Sequence, residues 1–357
     1  MAPLKRRHRV NLKDEDMTPP IETESAAALV FDTAQTPLQR VRSVLHRYPA
    51  LSPAVVLLIS IIVFGMLNER FLLPGNLSLI TQQVAIVGTV ALAQTLIILT
   101  AGIDLSVGTA MVLASMVMAV AASENGVAAP VALLMGLVVG LLSGLLNGML
   151  VTKLKLPPFI VTLGTYSIFL ALTLLYSKGS TVRGSDMPAI MTWTGKSFPV
   201  GGVSVSYGVV IMFVMYVVMA WVLSTTAWGR HVYAVGDDPE AARLAGVRTT
   251  WVLRSVYISA GSIIAIAAWL QIGRTSAASP NAGADLNLDS ITAVVIGGTS
   301  LFGGRGTVWG TLLGALIVGV FRNGLSLAGL DVLYQTLAVG ILVIVAVSVD
   351  QWIRKAR

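Results

Sequence analysis

The stretch WGRHVYAVGDDPEAARLAGVRTT, Trp228 to Thr250, is polar and lies between two long apolar segments, 206–225 and 251–272. Within it Asp237, Asp238, Pro239, Glu240, Ala241, Ala242, Arg243 and Gly246 spell a short helix with both ends marked. The Asp238 carboxylate can accept from an orphan backbone N–H, Pro239 suits the first helical position, and Gly246 suits the C-terminal exit. A helix of about two turns is marginal alone in water. It is therefore expected to lean on the rest of its own chain or on a second protein, and by pattern alone an interfacial linker helix is an equal reading.

The flanking apolar segments are two of about ten: 51–68, 79–101, 104–122, 128–151, 157–177, 206–225, 251–272, 287–302, 307–325 and 331–349. The eighth is the shortest and is rich in glycine. The chain is 55% hydrophobic and 11% charged over 357 residues, too little polar surface to cover a soluble globule. Runs of this length predict an all-α polytopic membrane bundle and not an outer-membrane barrel. There is no cysteine, so disulfide and thiol chemistry are excluded.

The net charge of +7 is a topology signal and not a nucleic-acid footprint. With the N-terminus inside, eighteen basic residues fall on inner segments and six on outer ones, which predicts cytoplasmic termini and a cytoplasmic Trp228 loop. Residues 1–36 read as a disordered tail with a basic start and an acidic, proline-containing middle. Residues 37–50 read as a membrane-surface helix, 51–349 as the membrane domain, and 350–357 as a basic cytoplasmic end. Five spans precede the outer loop 178–205 and five follow it, so two related halves would be inverted. Each half has an acid-and-glycine break near its third span, at Gly102–Gly108 and at Asp285–Gly304.

Asp104 is the most informative acid of the first half. A charge at mid-bilayer costs about 2.5–3.5 kcal/mol on insertion scales. It belongs to a translocation pathway or helix break, or else it caps a helix starting at Leu105 near the surface, where its charge is cheap. Ser106 shares its motif. Gln94, Asn147 and Asn323, with Gln82, Gln83 and Gln335, are amides inside spans; each can line a path for a hydroxylated solute or serve as interhelical glue worth about 0.6 kcal/mol. The run Ile296 to Thr307 lacks the Gly-Lys-Ser/Thr of a phosphate loop and reads as a tight turn with Arg305 at the surface. His8, His46 and His231 lie outside the spans, so neither a metal site nor a proton relay is expected. The spans carry no membrane-central basic–acidic pair and no obvious paired charges. That pattern counts against a proton-coupled carrier and mildly favours a neutral solute over a zwitterion. No catalytic cluster and no cofactor site are expected in this chain.

Four stretches taken together resemble one family: Ala101 to Gly108 (AGIDLSVG), Leu156 to Gly164 (LPPFIVTLG), the loop Gly236 to Gly246, and Ala293 to Ser300 with Gly303 to Gly306. In this order they resemble the permease subunit of ribose- and fructose-type bacterial ABC sugar importers, over about Leu51 to Val349. The resemblance implies a homodimer in the bacterial inner membrane, a cytoplasmic ATPase partner that hydrolyses the ATP, and a periplasmic binding protein that delivers the sugar. It also implies that Glu240-Ala241-Ala242 with Gly246 is the coupling motif that docks on the ATPase. An ABC permease for a nucleoside or branched-chain amino acid, and an ATP-independent carrier, remain as rivals.

Overall fold

A computed structural model describes residues 51–184, 187–283 and 285–355. The tail over 1–36 and the surface helix over 37–50 lie outside the described residues. The described chain forms α1 (Leu51–Leu67), α2 (Pro74–Leu99), α3 (Val107–Ser123), α4 (Ala129–Lys153) and α5 (Pro158–Ser177). A short connecting segment follows, with β1 (Val182–Arg183), α6 (Ala189–Thr192), β2 (Ser197–Val200) and β3 (Val203–Ser206). Then come α7 (Tyr207–Thr225), α8 (Ala227–Asp237), α9 (Pro239–Leu244), α10 (Thr249–Thr275), β4 (Ala277–Ala278), α11 (Leu286–Ile296), α12 (Val308–Leu327) and α13 (Val332–Lys355). β1 pairs antiparallel with β4, and β2 with β3.

From Val84 to Thr100 every residue of the α2 segment except Val87 is buried, so α2 is the axis of the bundle. α10 and α12 pack directly against it, α10 also against α4, and α12 also against α11. The outer helices turn apolar side chains outward, among them Leu58 and Ile62 of α1, Leu175 of α5 and Trp221 of α7. An apolar exterior around a core of similar polarity is what lipid as solvent demands. Close approach inside the bundle comes from small residues: Gly136, Gly140, Gly144 and Gly148 recur every fourth position of α4. A Cβ on Gly144 would collide with the Tyr257 carbonyl, and one on Gly261 with the Gly140 carbonyl, so α4 and α10 touch backbone to backbone.

Each of the ten expected spans meets an apolar helix. Six of these are long and apolar enough to cross a membrane, and four shorter ones lie at Leu51–Leu67, Val107–Ser123, Leu286–Ile296 and Val332–Ile341. The eighth span is corrected in extent. α11 stops at Ile296, so its 11 residues reach about 16 Å at 1.5 Å per residue, well short of a bilayer core of about 30 Å. The span expected over 104–122 also starts later, at Val107. α13 continues through residues 350–355 to Lys355.

Candidate functional site

The short helix of the central loop is α9, and both of its ends are built as its residues dictate. The Asp238 carboxylate accepts from the N–H groups of Glu240 (2.9 Å) and Ala241 (3.0 Å). At the other end Gly246 takes a left-handed φ of +87°, and the N–H of Val247 returns to the Ala242 carbonyl at 3.0 Å. Glu240 and Arg243 form a fully solvated ion pair at 2.6 Å, and Arg243 holds the Glu240 carboxyl below the usual carboxylate range. Beside them Leu244 is 79% exposed at the exit of the helix. The tip of the helix thus exposes an apolar side chain beside a charged pair.

The residues before α9 read as loop in the sequence, yet they form α8. Thr226 caps it by accepting from the Gly229 N–H at 3.1 Å, and Val232 and Val235 face the bundle. Side chains pin α8 in place: Trp228 Nε1 donates to Ser255 Oγ on α10 (2.7 Å), and the Tyr233 hydroxyl donates to the Gly306 carbonyl (2.9 Å). Burial pushes the Tyr233 phenol above its ordinary pKa, so it is a hydrogen-bond donor throughout the physiological range.

Where α8 ends, three backbone segments meet without side chains between them. A Cβ on Gly236 would collide with the Leu99 carbonyl, and one on Gly304 would come within 2.8 Å of the Asp237 Cα. The Gly304 N–H donates to that same Leu99 carbonyl at 3.0 Å. The end of α2, the end of α8 and the loop before α12 therefore form one close joint. α2 itself ends in a reversal with Ala101 at φ +59°, a left-handed position that usually falls to glycine. The glycines of the 296–307 run thus serve close packing and a tight turn, with Arg305 exposed.

Directly beyond the joint lies Asp104, buried to 3% exposure. Its carboxylate accepts from Ser106 N–H and Ser106 Oγ, both at 2.6 Å, and from Asn147 Nδ2 of α4 at 3.2 Å. Asn147 also donates to Ser106 Oγ at 2.9 Å. The carboxamide of Gln94, oriented so that donor meets acceptor, spans the Asp104 backbone with its nitrogen on the carbonyl (3.2 Å) and its oxygen on the N–H (3.3 Å). Thr162 of α5 donates to the Ile103 carbonyl at 3.1 Å. Four of the five expected pathway residues, Gln94, Asp104, Ser106 and Asn147, therefore close on one another in a knot that holds the break open before α3. The fifth, Asn323, is elsewhere: its amide is exchanged reciprocally with that of Asn76 at 2.8 and 2.9 Å, joining α12 to α2.

The surface-cap reading of Asp104 is overturned. α3 begins at Val107 after Ser106, and the side chain that reaches its first turn is Asn287, whose Oδ1 accepts from the Gly108 N–H at 2.6 Å. Asn287 belongs to the first turn of α11, so the starts of the two short helices that follow the breaks are tied together. A cap supplied from 179 residues away leaves no local signature in the chain.

The expectation that the spans hold no basic–acidic pair is also overturned. Arg322 of α12 meets Asp289 of α11 at 2.7 Å and Asp285 at 3.7 Å. Their pairing follows from α11 lying antiparallel against α12, which no local pattern announces. No group of three or more metal-ligating side chains occurs among the described residues.

Ten apolar helices, two of them entered through polar breaks, and an amphipathic hairpin at one end describe a multi-pass transport permease. The chain belongs to the family described as branched-chain amino acid transport system / permease component, which matches residues 76–347. It is 52% identical to the fructose import permease protein of Rhizobium meliloti over 325 residues, 90% of each chain. It is 40% identical to the ribose import permease protein of Bacillus subtilis (strain 168), over 84% of this chain and 92% of that one. The ribose import permease protein of Escherichia coli (strain K12) is 37% identical over 83% of this chain and 92% of its own length. Among solved structures, a metal-chelate type ABC transporter in an inward-facing conformation matches with TM-score 0.52 at 16% identity. That match covers 84% of this chain and 99% of the other, and it shows a shared fold.

Proposed function

We propose that this chain is the permease subunit of an ATP-driven importer that carries a monosaccharide, fructose first and ribose second, across the bacterial inner membrane. The observation that carries this reading is the 52% identity, over nine-tenths of both chains, to a fructose import permease. In this reading the permease is not itself an enzyme. A separate cytoplasmic ATPase hydrolyses the ATP, a periplasmic binding protein delivers the sugar, and two copies of the chain face each other in the membrane with both termini cytoplasmic.

α9 is the part that docks on the ATPase, through Leu244 and the Glu240–Arg243 pair. Its displacement reaches the membrane through α8 and the glycine joint, because backbone packed on backbone leaves no compliant side chain to absorb it. The joint bears on Ala101 and thus on the strand held by the Asp104 knot. Exchange between inward- and outward-open arrangements then amounts to moving the start of α3 against its neighbours.

The test is uptake of radiolabelled fructose and ribose into cells that make this chain with its ATPase and binding protein. Uptake that requires both partners, and that Glu240→Arg abolishes while the protein still inserts, is the expected result. Uptake by this chain alone, driven by an ion gradient, would defeat the proposal. A second reading, with a branched-chain amino acid as cargo, is favoured by the Asp289–Arg322 pair, which supplies both charges that a zwitterion needs; labelled leucine in the same assay decides between them.

A further inference from the structure

Two polar atoms inside the bundle, the Tyr257 hydroxyl of α10 and Oδ1 of Asn147 on α4, have no hydrogen-bond partner and are shut off from solvent. Their side chains lie at one level. A Cβ on Gly144 would collide with the Tyr257 carbonyl, and one on Gly148 would come within 3.1 Å of the Tyr257 Cβ, so α10 touches α4 on either side of Asn147. A Cβ on Gly102 would lie 3.3 Å from the Tyr257 hydroxyl, so the phenol ends against the turn that carries Asp104. We propose that Asn147 is a latch with two positions. It holds Asp104 and Ser106 in the arrangement seen here, and in the other arrangement of the transport cycle its Oδ1 accepts from the Tyr257 hydroxyl. The inference rests on the alternating-access reading above and adds to it the pair of residues that changes partners.

The orientation of the Asn147 amide is dictated by what faces it. A carboxylate only accepts, so the nitrogen must face Asp104 (3.2 Å), and the same nitrogen reaches Ser106 Oγ at 2.9 Å. With the nitrogen held there, the oxygen meets no donor. Tyr257 has the complementary lack, a phenol that can donate and meets no acceptor. A buried polar group without a partner keeps its full desolvation penalty, so this arrangement carries two such penalties at one level of the bundle. A single bond between the two groups removes both.

Asp104 can part from Asn147 without being stranded. Two of its three donors, the N–H and Oγ of Ser106, both at 2.6 Å, sit on its own turn and travel with it. The Asn147 contact is the longest of the three. When the glycine joint displaces Ala101 and the start of α3, the Asp104–Ser106 turn moves as a unit, while α4 and α10, packed backbone on backbone, stay together. The amide is then free to turn its oxygen toward the phenol. It exchanges two bonds for one that satisfies two groups, which keeps the two positions close in free energy, as an element that switches in every cycle requires.

The experiment uses the complete complex of permease, ATPase and binding protein in lipid. Tyr257→Phe removes the hydroxyl and keeps the ring. The kcat for uptake of labelled fructose or ribose should fall about tenfold with KM unchanged, the loss of one buried hydrogen bond in the other arrangement only. The resting permease should melt no lower than the native protein, whereas a merely structural tyrosine would lower that temperature. A readout independent of sugar comes from spin labels at Glu124→Cys, at the exposed end of α3, and Ser180→Cys, exposed beyond α5. ATP with vanadate should populate a second distance in the native complex, and Tyr257→Phe should reduce that population about tenfold relative to the first. In an Asn147→Ala background Tyr257→Phe should have no further effect on it. Equal second populations with and without the hydroxyl, a lower melting temperature in Tyr257→Phe, or a further drop in the Asn147→Ala background would overturn the latch. Absence of sugar uptake by the unmodified complex, with the second population still sensitive to Tyr257→Phe, would defeat the sugar reading and leave the latch standing.

Discussion

Asp104 has three hydrogen-bond donors aimed at a carboxylate that solvent does not reach, and those donors come from its own turn and from α4. Replacing it with alanine would leave the Ser106 N–H buried without its acceptor and take from Asn147 one of its two. Asp104→Ala is expected to lower stability by about 2–4 kcal/mol, with Asp104→Asn closer to native, as measured by thermal unfolding in detergent. Asp238 is a different case, because its partners are two and three residues ahead. Asp238→Ala should cost about 1 kcal/mol of local helix stability and weaken binding of the ATPase, read as a higher ATPase concentration at half-maximal reconstitution. The sign of the pH dependence at Glu240 follows from its depressed pKa. The interaction is present above the unfolded value and is lost as pH falls through the still lower folded value. Coupled uptake should therefore show no Glu240-dependent step between about pH 5.5 and 8, below which range the ordinary glutamate titrates near 4.3. Asp238 and Gly246 were legible because capping is local, whereas Asn147, the partner that ties Asp104 to α4, lies 43 residues away on another helix.

The polar loop turned out to hold two helices, and the one that was missed, α8, is the one that reaches the bundle. Gly229 and Gly236 argue against a helix by propensity. Tertiary packing overrides that, because Val232 and Val235 are buried and both glycines sit where a side chain would collide with backbone. The same reason predicts the effect of Gly236→Val. It should separate α8 from the Leu99 carbonyl, so that ATP hydrolysis persists in the assembled complex while sugar uptake falls by an order of magnitude or more. A control in α9, Leu244→Ala, should instead lower hydrolysis and uptake together by weakening docking. The overreach of the eighth span has a similar origin: Gly297 and Gly298 are apolar enough to extend a hydropathy run but end the helix at Ile296.

For the molecule as a whole, orientation in the membrane is directly measurable. The chain has no cysteine, so single cysteines report without background. Leu244→Cys at the tip of α9 should react with a membrane-impermeant maleimide only from the cytoplasmic side, and Ser180→Cys beyond α5 only from the periplasmic side. The reverse pattern would invert the docking proposal along with the topology. Composition and run length determined by themselves that this is a multi-pass helical membrane protein and roughly where its apolar spans lie, because lipid imposes those properties on every segment separately. The capped α9 was also written locally. Only the tertiary structure decided that Asn287 caps α3, that Gln94 and Asn147 enclose Asp104, that α2, α8 and the loop before α12 share a glycine joint, and that Asp289 finds Arg322. Most of those contacts join segments far apart in sequence, through hydrogen bonds or backbone approach, and leave no period or spacing in the chain from which they can be read.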